Sequence, residues 1–245
     1  MKFILLLTGC INPDGMLFTS ITDNNVRLAQ YKNAIDFYLS NTQYPIVFAE
    51  NSGTKLNYLF RDSISSNRLE CLSFNGNQSK ERGKGYGECE IIQYALSNSI
   101  LINSNTNCYI IKITGRLIVK NINSIIRIHR ILLPLGNIIC AINSDLSFPD
   151  SRIIMATKSF FQTFLKTKNI VNDSKGYFFE HALLDTLKEE KGYKFSPFFI
   201  KPEIEGISGT TGEKYDDNTS RSFSFSLKYA KYALMLRNKF KKQFR

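Results

Sequence analysis

The sequence predicts an α/β protein with a mainly parallel sheet flanked by helices. Three observations carry that reading. The strands read as short, wholly apolar runs such as Phe3–Leu7 and Ile46–Ala49, the pattern of strands covered on both faces. In the first half, strand and helix alternate in units of about 25–35 residues, the spacing of βαβ crossovers. The composition is globular: 245 residues, 43% hydrophobic and 22% charged. That excludes a disordered, collagenous or fibrous chain and supplies enough apolar surface for one large core.

Each element has a local reason. Phe3–Thr8 is a buried first strand, and Gly9–Thr22 is a polar loop with an Asn12-Pro13-Asp14-Gly15 turn. Asp23 or Asn24 caps a helix that runs to about residue 41, with Val26, Ala29, Ala34, Phe37 and Tyr38 on its apolar side. Pro45–Ala49 is a second strand, stopped by Glu50-Asn51-Ser52-Gly53. A short helix follows near 56–60 and a strand at 69–74. The polar, glycine-rich stretch 75–87 leads into a helix over 88–97. Strands are expected at 108–119 and 138–142, and helices at 158–165 and 178–189. A Gly/Ser/Thr loop spans 201–214, and a last helix spans 225–244.

The net charge is +11, from 32 Lys and Arg against 21 Asp and Glu. Residues 221–245 hold eight of the cations and no acid, so residues 1–220 form a nearly neutral body and 221–245 a separate cationic helix. The five cysteines, Cys10, Cys71, Cys89, Cys108 and Cys140, include no CxxC pair, which points to free thiols in a reducing compartment. Leu7-Thr8-Gly9-Cys10 has the form of a lipoprotein cleavage box. The apolar run before it, Phe3–Leu7, is shorter than the roughly 7–15 residues of a signal segment. A buried strand is the preferred reading, and the address expected is cytoplasmic.

In open α/β sheets, ligands sit beyond the carboxyl ends of the strands. Four polar strand ends therefore matter. Thr8-Gly9 closes the first. Glu50-Asn51-Ser52 closes the second; there a carboxylate can accept from a nucleobase imide or a ribose hydroxyl, or the segment can be a helix N-cap box. Arg82-Gly83-Lys84-Gly85-Tyr86-Gly87 precedes a helix, where glycines, cations and free N–H groups suit a diphosphate; a solvated loop is the plain alternative. Lys112 and Thr114-Gly115-Arg116 interrupt an apolar strand, either for a salt bridge or for an anion. Asp145 and Asp150 read as turn formers before cation ligands. Glu180 beside His181 opens a helix behind aromatic residues, where a carboxylate with a raised pKa can act as a general base or simply favour the helix start.

The order of these pieces resembles the GT-A glycosyltransferases, a Rossmann-type fold. Glu50-Asn51-Ser52-Gly53 is similar to the acidic segment that closes their second strand. Arg82–Glu90 stands where they pass the donor diphosphate, and Phe178-Phe179-Glu180-His181 where they carry the catalytic base. With Arg27-Leu28-Ala29-Gln30-Tyr31, Asp150-Ser151-Arg152 and Gly206–Gly212, the chain resembles small bacterial enzymes of surface-polysaccharide synthesis (O-antigen, capsule, lipooligosaccharide) over about residues 3–215.

That resemblance implies a nucleoside-diphosphate sugar donor, a glycan or lipid-linked acceptor, and an inverting transfer with Glu180 as base. It implies donor contacts from Thr8, Gly9, Asn12, Arg27, Glu50, Asn51, Ser52, Arg82, Lys84, Gly85, Gly87, Lys112 and Arg116. The chain departs from the family in one place: Thr114-Gly115-Arg116 stands where an Asp-x-Asp metal motif is expected. Lys112 and Arg116 are then read as substitutes for the ion. No cofactor is expected, with a divalent cation (Mn or Mg) on Asp150 as the alternative. On a helical wheel Tyr229, Ala233, Leu236, Phe240 and Phe244 face one way, and Lys228, Lys231, Lys239 and Lys242 the other. This suggests peripheral attachment to an anionic membrane surface on the inner face of the cell membrane. No nucleic-acid partner is expected, because the cationic excess lies in one tail. A non-catalytic nucleic-acid- or surface-binding protein, or a lipoprotein through Cys10, is the rival reading.

Overall fold

The computed structural model describes residues 2–105, 107–132, 136–216 and 223–244. The elements are β1 (Lys2–Gly9), α1 (Asn24–Asn41), β2 (Ile46–Glu50), α2 (Arg61–Ser65), β3 (Leu69–Ser73), α3 (Lys84–Asn98) and α4 (Ile100–Asn103). There follow β4 (Cys108–Thr114), β5 (Ile118–Val119), α5 (Ile122–Leu132), β6 (Ile138–Ile142), β7 (Pro149–Thr157), α6 (Lys158–Phe164) and α7 (Phe179–Glu189). The chain ends in β8 (Phe195–Ser196), β9 (Ile204–Ile207), β10 (Lys214–Asp216) and α8 (Phe223–Phe244). The main sheet has the order β3-β2-β1-β4-β7-β6-β8. All its pairs are parallel except the two that β7 makes with β4 and β6.

The interior of β1 is apolar on both faces because the core lies on both sides of it. Ile4 and Leu6 pack toward α3, α6 and α7, while Phe3, Leu5 and Leu7 pack toward α1 and α5. Asp23 caps α1, accepting from the N–H groups of Asn25 at 2.8 Å and Val26 at 3.1 Å.

Several boundaries differ from the sequence reading. The strand expected over 108–119 ends at Thr114. Gly115 turns there, donating its N–H to the Thr8 carbonyl at 2.8 Å, and β5 joins a separate three-stranded sheet with β9 and β10. The loop expected over 201–214 thus supplies two short strands. The segment around Asp150 belongs to β7, and its apolar run Ile153–Ala156 is a central strand. Helix α5, with Ile122, Ile125 and Ile126 buried, was also not anticipated. A 3-10 turn at 57–59 and then α2 stand in place of the single short helix at 56–60.

Helix α8 is packed on the body. Ala233, Leu236 and Phe240 are buried, and the Phe240 ring lies 4.6 Å from that of Phe195 on β8. The stripe read as a lipid-facing anchor is therefore a core contact. Lys228, Lys231 and Lys242 remain exposed, while Lys239 donates to the Ser144 carbonyl at 2.8 Å. No described helix is long and apolar enough to cross a membrane. Replacing Phe240 with Ala is expected to lower the unfolding free energy by about 3–5 kcal/mol. Met235→Ala, on the exposed face, is expected to change it by less than about 0.5 kcal/mol in the same urea titration.

Candidate functional site

The carboxyl ends of β1 and β4 meet the amino ends of α3 and α7. Because β7 runs antiparallel to β4, with Ile153 opposite Ile113, its first residues arrive at this same edge. The result is a cleft of about 370 Å³, lined among others by Lys84, Glu88, Arg116, Ser151, Arg152, Asp173 and Glu180. A smaller recess of about 90 Å³ lies beside it against Thr8, Gly9, Cys10, Arg27, Asn51 and Gly87. Lys84, Glu88, Thr114 and Arg116 line both spaces and form the seam between them.

Beneath the seam lies a buried polar chain. Lys112 on β4 has no exposed side-chain surface and forms an ion pair with Glu88 of α3. Its Nζ also donates to the Ser151 carbonyl at 2.6 Å. Thr8 Oγ1 donates to the same Glu88 oxygen, Oε1, at 2.9 Å. The Ser151 hydroxyl in turn donates to Glu180 Oε1. Burial raises the Glu180 pKa above the ordinary carboxylate value, with the Ser151 hydrogen bond pulling the other way. Glu180 is therefore a half-buried carboxylate with raised proton affinity, facing a cleft that also holds three cations.

Those cations are Lys84, Arg116 and Arg152. Lys84 donates to the Phe18 carbonyl and to Thr210 Oγ1 at 2.7 Å, tying together the two loops over the seam. Burial and the neighbouring Arg116 lower its pKa to about 8, with Asp173 opposing. Arg116 donates to the Ile207 carbonyl at 3.1 Å, and its Nε has no hydrogen-bond partner. The β9–β10 loop passes directly over Arg116: a Cβ at Gly209 would come within 2.3 Å of a terminal guanidinium nitrogen. Arg152 lies 4.8 Å from the Tyr215 ring centre.

The glycine-rich segment is arranged differently from the expectation. Helix α3 begins at Lys84, so Gly85 and Gly87 lie in its first turn. The anion at this helix start is internal: Asp173 Oδ2 accepts from the Gly85 N–H at 3.0 Å. Gly83 has φ +86°, and a Cβ on either Gly83 or Gly85 would fall within 2.8 Å of the Asp173 carboxylate. Arg82 points away from the cleft. It donates to the Val171 carbonyl at 2.9 and 3.2 Å and to Asn169, and stacks on Tyr86 at 4.0 Å.

Other expected donor contacts are brace residues. Glu50 is fully buried. Its Oε1 accepts from the N–H groups of Ile11 and Ser52 at 3.2 and 2.7 Å, and its Oε2 from Thr54 N–H at 2.9 Å and Ser73 Oγ at 3.1 Å. The carboxylate is turned inward and braces the loops, and no helix N-cap box forms here: the next helical turn starts after Leu56 with no side-chain cap. The Ser52 hydroxyl donates to Glu50 and accepts from the Asn12 N–H at 3.0 Å, and neither Ser52 nor Asn12 lines the cleft or recess. Arg27 lines the recess, but its guanidinium is engaged by the carbonyls of Cys10 and Ile21. Lys112 lies below the surface, so any effect on a bound anion acts through Glu88 and Ser151. Asn51 is different: it is buried beside the recess with neither amide atom partnered.

Asp150 is committed to Arg152, which donates to both its oxygens at 2.6–3.0 Å. Among the described residues no group of three His, Cys, Asp or Glu side chains is placed to hold a metal ion. Burial pushes the Cys10 thiol up to about 11, which leaves it neutral and a poor nucleophile. His129 is lowered to about 4 by burial and accepts from the Phe199 N–H at 3.3 Å, a core histidine.

Glu88, Ser151, Arg152, Asp173 and Tyr215 were not among the expected site residues. Gly83 and Gly85 were the sequence signal for a close approach, but the partner, Asp173, lies far along the chain.

No protein-family model and no curated protein matches the sequence. Solved structures do. The glycosyltransferase GlyE of Streptococcus pneumoniae TIGR4 matches with TM-score 0.50 at 9% identity, covering 100% of this chain and 65% of its own. The chain has a GT-A-like fold. A cytidylyltransferase from Leptospira borgpetersenii matches with TM-score 0.47 at 12% identity, over 99% of this chain and 94% of its own. Mouse xyloside xylosyltransferase 1 matches with TM-score 0.44 at 9% identity, over 80% and 84%. At these identities the likeness is one of fold.

The seam cations give a pH prediction. Lys84 is charged below about pH 8 and neutral above it. Pyrophosphate binding, followed by calorimetry, is expected to weaken severalfold between pH 7 and 9. Lys84→Arg, which stays charged, is expected to flatten that dependence.

Proposed function

We propose that this chain is a glycosyltransferase that moves a sugar from a nucleoside-diphosphate donor to a hydroxyl of a glycan or lipid-linked acceptor in surface-polysaccharide synthesis. One observation carries the reading: a half-buried carboxylate of raised proton affinity, Glu180, shares a cleft with Lys84, Arg116 and Arg152 at the carboxyl edge of the sheet. The recess takes the nucleoside, with Asn51 offering an unpaired donor and acceptor. Lys84 and Arg116 hold the diphosphate at the seam.

Glu180 removes the proton from the acceptor hydroxyl as that oxygen attacks the anomeric carbon. The bond from that carbon to the diphosphate oxygen breaks, and the nucleoside diphosphate leaves with the bonding pair. The seam cations stabilise the charge it gains. Attack opposite the leaving group inverts the anomeric centre. Arg116 stands where the resemblance leads one to expect an acidic metal motif, and with Lys84 it supplies positive charge at the seam, so transfer proceeds without a divalent cation.

A screen of UDP-, GDP- and dTDP-sugars by thermal shift is expected to find the donor. With that donor, Glu180→Gln is expected to lower turnover by about a thousandfold or more while donor affinity changes less than about threefold. Activity is expected to persist in EDTA. Loss of donor binding in the variant would assign Glu180 a structural role, and loss of activity in EDTA restored by manganese would overturn metal independence.

The outer face of α8 supports membrane attachment in a form different from the buried stripe. Leu227, Leu234 and Met235 are exposed there together with Lys228, Lys231 and Lys242. This mixed basic and apolar surface suits the anionic inner face of the cell membrane, where lipid-linked acceptors reside. Replacing the three lysines with Ala is expected to weaken partition onto phosphatidylglycerol vesicles by about tenfold or more, with no change on phosphatidylcholine vesicles and no change in unfolding temperature.

A further inference from the structure

Glu88 has no role in the reading above, yet its setting is the most constrained in the cleft. It stands near the start of α3 at the seam and lines both recess and cleft. Its Oε1 takes two bonds, from Thr8 Oγ1 at 2.9 Å and from Lys112. Its Oε2 has no hydrogen-bond partner among the described residues. The pair is also asymmetric: the lysine side chain is 0% exposed and the glutamate 20%. A whole buried cation therefore fixes the orientation of a carboxylate that still reaches the cleft.

The chemistry of that carboxylate restricts what it meets. As the carboxylate partner of the Lys112 ammonium, it offers oxygens that accept hydrogen bonds. It repels a phosphate and does not attract an apolar group. Among the described residues it belongs to no group of three His, Cys, Asp or Glu side chains placed to hold a metal ion. What fits is a neutral group that donates a proton, such as a hydroxyl. Lys84 and Arg116 hold cationic charge at the same seam, and Glu180 lies within the cleft. A donor whose diphosphate sits at the seam, and whose anomeric carbon faces the nucleophile served by Glu180, carries its sugar past Glu88.

We infer that Glu88 is a specificity-determining residue that reads the donor sugar, its Oε2 accepting a hydrogen bond from one ring hydroxyl. The inference rests on the glycosyl-transfer reading. Thr8 and Lys112 are the positioning residues that aim it.

The test compares the nucleoside-diphosphate sugar found by the screen with the matching free nucleoside diphosphate, by calorimetry on the full chain. Glu88→Gln is expected to weaken the sugar nucleotide by about ten- to hundredfold, the usual weight of a hydrogen bond to a charged group, and the free nucleotide by less than about twofold. Because Glu88→Gln leaves Lys112 buried and unpaired, the double variant Glu88→Gln/Lys112→Met provides a folded control with the same expected loss. Donors deoxygenated at single ring positions complete the cycle. One of them is expected to bind the wild type as weakly as the intact donor binds the variant, and the variant is expected not to distinguish those two donors. Equal weakening of sugar nucleotide and free nucleotide, or no weakening of either, overturns the role of Glu88 and leaves glycosyl transfer standing. A wild-type chain that binds neither overturns glycosyl transfer, and the role of Glu88 with it.

Discussion

The buried Lys112–Glu88 pair is the constraint on which the site depends. Lys112 lies in the middle of the sheet, on a strand otherwise built of Cys, Tyr, Ile and a final Thr. An ammonium there carries a large desolvation cost, and removing one partner of such a pair typically costs about 3–5 kcal/mol. Apolar residues of similar volume would fill the same space without that cost. Thr8 at the end of β1, Glu88 on α3 and Ser151 at the start of β7 all bond within this one group. A single charge thus joins three strands and a helix at the point where the cleft opens. Glu180 is the next link, through the Ser151 hydroxyl.

Helix α3 shows the same economy. Its amino terminus carries free N–H groups and positive dipole character, which elsewhere would receive a ligand phosphate. Here Asp173 fills that role, seated by two glycines that leave room for it. Cationic capacity for a ligand therefore resides in the side chains of Lys84 and Arg116, above the seam. The loops that carry Phe18 and Thr210 are pinned to Lys84, and the Ser20 N–H donates to the Gly209 carbonyl at 3.1 Å. The roof of the site is thereby tied to its floor.

The parts of the fold legible in the sequence were those written in local pattern. The apolar runs of β1 and β2, the Asp23 cap of α1 and the helical spacing of α7 and α8 are short-range signals, and they placed these elements correctly. The parts that were not legible depend on distant partners. Pro149–Thr157 opens with polar residues that also suit a turn, and only pairing with β4 and β6 makes it a strand. β9 and β10 are short strands whose hydrogen bonds come largely from each other and from β5. In the site, Glu180 stood out because an acid at a helix start behind aromatic residues is unusual locally. Glu88 and Asp173 did not, because nothing near them in sequence names Lys112 or Gly85. At Glu50 the local pattern suits a ligand contact or a helix N-cap box, and only the burial of the side chain under loop N–H groups shows it to be a brace instead.

The strap that leaves α6 carries Asp173 and leads into Glu180, in the first turn of α7. Asp173 is anchored to the start of α3, and Arg82 grips the same strap through the Val171 carbonyl. The carboxylate proposed as base is thus a short length of chain away from the carboxylate that caps the helix at the seam. The architecture is that of a lever with a short arm: seven positions of chain separate the carboxylate that caps α3 from the one that faces the cleft.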